Sequence, residues 1–161
     1  MESHPMSFVI AGLAPQSFSH LFGLPDEALR QQNIIRKTVD AKPGYPCRIT
    51  LQDAEPGETV LLLNHESHNA PTPYASRYAI YVRENAGEAT TFRDELPPVF
   101  LNRPIALRMF DESGMLVGAD LGMNHDLKAK IVQALDRPDV AYIHAHNAMH
   151  GCFAAEVRRG A

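Results

Sequence analysis

Four of the ten His and Cys residues of this chain crowd its C-terminal end: His144, His146, His150 and Cys152, in V-A-Y-I-H-A-H-N-A-M-H-G-C-F-A-A-E-V-R, residues 140–158. Imidazoles and thiols bind transition metals, move protons and attack carbonyls, and they also sit inertly on wet sheet faces. The segment reads as two strands around a short glycine-containing turn. Because successive strand side chains alternate faces, Ala141, Ile143 and Ala145 share one face, and Tyr142, His144 and His146 share the other. In the second strand Phe153, Ala155 and Val157 oppose Cys152, Ala154 and Glu156. A register that buries both apolar sets is strongly favoured, since a one-residue slip would turn a whole set into water. It gathers His144, His146, Cys152 and Glu156, with His146 opposite Cys152 and their Cβ atoms roughly 5 Å apart.

Three kinds of chemistry fit these residues. The first is a transition-metal site, such as zinc, built on His144 and His146 and completed by Cys152, Cys47 or His65. It would serve metal binding alone or a metal-dependent enzyme, although H-x-H on a strand is a far weaker signal than paired C-x-x-C. The second is a non-catalytic binding module. There the His-bearing face and the 64–74 loop form a pocket for a small polar ligand, using mixed donors and acceptors. The third makes Cys47 a nucleophile, with His144 or His146 as base and Asn147 or Glu156 orienting it. Arg48 adjoins Cys47 in sequence, but neighbours along a strand face opposite ways. N-H-E-S-H at 64–68 places its histidines at i, i+3, one residue short of the helical H-E-x-x-H metalloprotease pattern. There is no glycine-rich phosphate loop.

The composition narrows the setting. In 161 residues, 45% hydrophobic and 21% charged, there is enough sequence for one domain with one core. A formal charge of −4 with scattered Lys and Arg argues against nucleic acid. No apolar run reaches the roughly 18 residues of a membrane span. With no such run and no charged segment followed by an apolar leader, a cytoplasmic location is expected, and there two cysteines are expected to be free thiols.

The elements that must position the site follow from periodicity. Residues 1–6 read as a flexible arm and 7–161 as a single domain. Residues 7–11 predict a first strand; Phe18, Leu21 and Phe22 predict a helix from Pro15 that Gly23 ends; Pro25-Asp26-Glu27 starts a second, to about residue 32. Strands are predicted over 34–39, 60–63 and 78–83, with Asn64, His65 and His68 in a loop beyond the second of them. Residues 85–98 read as a long polar connection. A hairpin about D-E-S-G joins 105–110 to 115–121. Asn124 is placed to cap a helix through Arg137, with Leu127, Ile131 and Leu135 on its buried stripe. The sum is an α+β fold: a mainly antiparallel sheet with two or three helices.

The blocks A-K-P-G-Y-P-C-R, D-A-E-P-G-E-T-V-L-L-L-N, Pro73-Tyr74 and Y-I-H-A-H-N-A…G-C-F-A-A, in that order, resemble a bacterial family catalogued as domain of unknown function 1203. The resemblance runs from the S-F-V-I-A-G-L start to the final strand. It implies a small single-domain protein and carries over no catalytic residues. Cys47, Arg48, His144, His146, Asn147 and Cys152 fall in the matching blocks, whereas His150 and His68 are peripheral to them.

Overall fold

The period-two runs become strands that pair into two sheets. The computed structural model describes residues 7–160, and the arm expected over 1–6 lies outside them. Among the described residues the strands are β1 (Phe8–Ala11), β2 (Ile35–Thr38), β3 (Thr59–His68), β4 (Ser76–Arg83), β5 (Thr91–Arg93), β6 (Ile105–Phe110), β7 (Leu116–Gly122), β8 (Tyr142–Asn147) and β9 (Phe153–Arg159). Helix α1 (Asp26–Arg30) precedes β2, and α2 (His125–Leu135) precedes β8. A six-stranded sheet has the order β5-β1-β9-β8-β6-β7, and a three-stranded sheet has the order β2-β3-β4. All the strand pairs are antiparallel. The fold is thus broadly α+β but mainly β, with helix in the minority.

The predicted stripe of α2 does what its spacing implies. Leu127, Ile131 and Leu135 are all fully buried, in one cluster with Ile143, Ala145 and Val157 of the large sheet. Each such side chain contributes about 1.5–3 kcal/mol relative to exposure. A second cluster joins Leu61 and Leu63 of β3 and Ile80 and Val82 of β4 to Leu29 of α1 and to Phe18. Register pairs Leu61 with Val82, Leu63 with Ile80 and then His65 with Tyr78. One face of the small sheet therefore changes along its length from aliphatic to imidazole and phenol. At that polar end it meets the large sheet, with the Tyr78 ring 4.9 Å from His146 and His65 6.4 Å from Phe153.

Several expectations are corrected. N-H-E-S-H is strand and not loop, because β4 starts early enough to pair His65 with Tyr78, Glu66 with Arg77 and, past a bulge, His68 with Ser76. The first predicted helix is two 3-10 turns, Pro15–Ser17 and Ser19–Leu21, interrupted where Phe18 leaves helical geometry at φ −125°. Asn124 makes no side-chain cap for α2. It sits at φ 51°, its Oδ1 accepts from Asn102 N, and Asp126 Oδ1 instead accepts from Met123 N. The polar connection after β4 contains the short edge strand β5, paired with β1.

The hairpin register also differs from expectation. His144 pairs with Glu156 and Ala145 with Ala155, but His146 pairs with Phe153 across an irregularity that skips Ala154. A bulge puts two residues of one strand opposite one of its partner and changes which side chains share a face. Ala154 and Ala155 both join the core cluster under α2, and the Phe153 ring turns instead to the histidine side, 5.1 Å from His144.

Candidate functional site

The histidine face of β8 is a buried layer between the sheets. His144 and His146 are 4% and 5% exposed, so neither is a surface group. His146 Nδ1 donates to the Gly151 carbonyl at 2.9 Å, which fixes its tautomer. Burial, more than that bond, sets its basicity and pushes it down to about 4. Burial likewise lowers His144, whose Nε2 lies 3.5 Å from Glu156 Oε1. Burial opposes ionisation of Glu156, yet hydrogen bonds from His144 and Arg158 outweigh it and hold the carboxyl below its ordinary value.

His68, at the end of β3, belongs to the same layer. Its Nδ1 donates to the Tyr74 carbonyl at 2.8 Å, and Tyr142 Oη lies 2.6 Å from its Nε2. Its ring stacks on Phe110 at 4.1 Å. Both ring nitrogens are satisfied, so His68 joins the two sheets rather than waiting for a ligand.

Beside this layer, along the edge strand β4, opens a cavity of about 370 Å³ whose wall includes Arg48, Cys152, Tyr78, Arg103, Asn147 and His150. The turn before Cys152 supplies one side of it. Gly151, at φ 79°, sits where an L side chain would be strained, and its N–H donates to Asn147 O. Asn147 N in turn donates to Cys152 O, which places Cys152 one residue outside β9. Another part of its wall is the segment after the A-K-P-G-Y-P loop. There Arg48 N donates to Tyr81 O at 3.0 Å and Leu13 N donates to Arg48 O at 2.8 Å, so the Arg48 backbone is clamped between two elements.

The Arg48 side chain is 2% exposed. Among the described residues its guanidinium makes one side-chain hydrogen bond, from Nη2 to Cys152 Sγ at 3.3 Å, and its buried Nε has no partner. Burial pulls its pKa below the ordinary guanidinium value, and the neighbouring Cys152 offsets only part of that. Arginine nonetheless stays protonated in proteins, so the cavity wall holds a charge that no carboxylate of the described residues neutralises. The nearby acid is already taken. Arg103 clasps Asp53 through two bonds, Nη1 to Oδ2 at 3.1 Å and Nη2 to Oδ1 at 2.7 Å.

The residues named from sequence are therefore divided. His144 and His146 share the layer with Glu156 and Phe153, whereas Cys152 turns to Arg48. His65 lies between the rings of Phe18 and Phe153, 5.6 and 6.4 Å away, and burial lowers its basicity. Cys47 is fully buried, and its Sγ accepts from the backbone N–H groups of Ile49, Thr50 and Arg83 at 3.3–3.5 Å. None of these bonds brings it to His144 or His146. Among the described residues no group of three or more His, Cys, Asp or Glu side chains is arranged to hold a metal ion. Also among them, no helix is long and apolar enough to cross a membrane.

Arg103 and Tyr78 are cavity residues that sequence reasoning did not name, and Arg48 was weighed only as a neighbour of Cys47 and not as a site residue. One signal pointed to Arg48: an arginine set between Cys47 and Ile49, in a block with no other charge until Asp53. A family model described as "Protein of unknown function (DUF1203)" matches residues 44–159. That span contains all the residues lining the cavity but leaves the S-F-V-I-A-G-L start outside. No curated protein and no solved structure matches the chain.

Proposed function

Because the chain belongs to the DUF1203 family, whose description assigns no activity, we propose a function from the geometry of the cavity: it binds a small polar ligand through an anionic group seated on Arg48. The observation that carries this reading is Arg48, a residue 2% exposed, on the cavity wall and without a carboxylate partner among the described residues. A buried charge is retained against its desolvation penalty when something compensates it. A ligand anion supplies that compensation where the protein does not. The cavity lies at the small end of the roughly 300–1,000 Å³ range of small-molecule sites. The His144–His146 layer, with no third ligand grouped beside it among the described residues, supports metal binding less well, and it serves here as the rigid backing of the β8–β9 turn.

Thermal unfolding of the full chain in acetate, hexanoate, inorganic phosphate and chloride, at matched ionic strength, tests the reading. A bound anion raises the midpoint according to its concentration over Kd. At least one anion is expected to stabilise the wild type and to lose that effect in Arg48→Met. Equal responses in both proteins would refute it.

A further inference from the structure

We infer that the ligand is a monocarboxylate with a short apolar tail. This rests on the anion-binding reading above and specifies the chemistry of what occupies that site.

The charge count comes first. Two guanidinium groups reach the cavity, but Arg103 is neutralised by its two-point contact with Asp53. Arg48 alone is left, with Cys152 as its side-chain partner. One uncompensated cation in a partly desolvated wall matches one negative charge. A phosphate dianion would bring a second charge with no second free guanidinium to meet it, and the penalty for an unpaired charge in such a place is steep. A guanidinium is planar and meets a carboxylate edge to edge, the geometry in which arginine recognition is strongest. Asn147, 8% exposed, adds an uncharged donor: its Oδ1 accepts from Met149 N, while its amide nitrogen has no partner among the described residues.

Apart from His150, the rest of the wall is mainly apolar. Pro46, Leu62, Ala79, Ile80 and the ring carbons of Tyr78 and Tyr81 line it. A ligand that offered only its head group would leave these surfaces wet; an alkyl or aryl tail covers them. The wall therefore pairs a single free guanidinium with an apolar lining.

Isothermal titration of the full chain with acetate, butanoate, hexanoate and inorganic phosphate reads this directly. Affinity is expected to rise about fourfold per added methylene until the cavity is filled, and phosphate is expected to bind more weakly than butanoate. Leu62→Ser, which roughens the lining without touching the cation, should flatten the dependence on tail length while leaving acetate affinity within about twofold. Binding that depends on Arg48 but favours phosphate, or ignores the tail, overturns this inference and leaves the anion reading standing. Absence of any Arg48-dependent anion binding overturns both.

Discussion

Arg48 Nη2 reaches Cys152 Sγ at 3.3 Å across 104 positions of sequence. The contact closes the cavity between the segment beside β4 and the turn that precedes β9. It also leaves a buried cation whose side-chain partner is a sulfur, an arrangement that contributes little to folding and much to attracting an anion.

Arg48 is therefore expected to be a residue whose removal does not weaken the fold. Its backbone bonds to Tyr81 and Leu13 survive any substitution other than proline. Replacing a buried charge with an apolar side chain of similar volume is neutral or stabilising by about 1–4 kcal/mol. Urea unfolding of Arg48→Met should show a free energy equal to or above wild type, together with loss of anion stabilisation. A drop of about 3 kcal/mol or more would instead assign Arg48 a structural role.

Asp53 sets the charge of the site. Asp53→Asn frees Arg103 from its two-point partner and gives the cavity a second uncompensated guanidinium. The ratio of phosphate to butanoate affinity is expected to rise about tenfold, roughly 1.4 kcal/mol. The fold should lose about 1–3 kcal/mol, because the bridge is largely shielded from solvent, with side chains 18% and 8% exposed. An unchanged ratio in titration calorimetry would show that Arg103 takes no part in ligand charge selection.

The two thiols are expected to differ in accessibility. Cys47 is fully buried and held by three backbone N–H groups, whereas Cys152 is partly exposed on the cavity wall. Iodoacetamide followed by peptide mass spectrometry should label Cys152 in the native protein and Cys47 only when urea opens the fold. Hexanoate should slow labelling at Cys152. Equal labelling of both thiols in the native state would contradict the structure at this point.

Stability is expected to fall as the solution is acidified below neutrality. Burial holds His146 down to about 4 in the folded protein, while an unfolded chain protonates histidine near 6.5. Between those values the unfolded state binds the additional proton. The contribution of His146 is thus complete above about pH 6.5 and is lost as pH falls toward 4, below which it changes no further. For a group only 5% exposed this amounts to about 3 kcal/mol. His144 and His65 are lowered by burial too and steepen the same slope. Glu84, held near 2 chiefly by its hydrogen bond from Arg36, adds a separate loss from about 4.5 downward. Urea unfolding at pH 7.5, 6.0, 5.0 and 4.5 measures the slope, and His146→Phe should reduce it. A flat profile over that range would mean that the histidine layer is solvated.

How much was legible in advance depended on how local the signal was. The α2 stripe and the strands β6, β8 and β9 follow from spacing within a few residues, and the structure places them close to where periodicity does. The extension of β3 through His68 was hidden because N-H-E-S-H has a polar, loop-like composition; its partner β4 supplies the hydrogen bonds that make it a strand. β5 was hidden for the same reason, as three residues in a polar stretch that pair only with β1. His144 and His146 were assigned a shared face correctly, but Cys152 was placed with them on the assumption of unbroken alternation, which the bulge at Ala154 breaks.

The amino-acid sequence by itself determined the mainly antiparallel sheet, the amphipathic helix and the concentration of His and Cys in the last hairpin, since these rest on hydrophobic periods of two and 3.6 residues. Only the tertiary structure decided that the hairpin's thiol meets Arg48 while its imidazoles turn into a buried layer between the sheets. It also decided that Arg48 is left without a carboxylate among the described residues. The physical reason is that charge compensation and desolvation are properties of what surrounds a side chain, and the surroundings of Arg48 are assembled from segments a hundred residues apart.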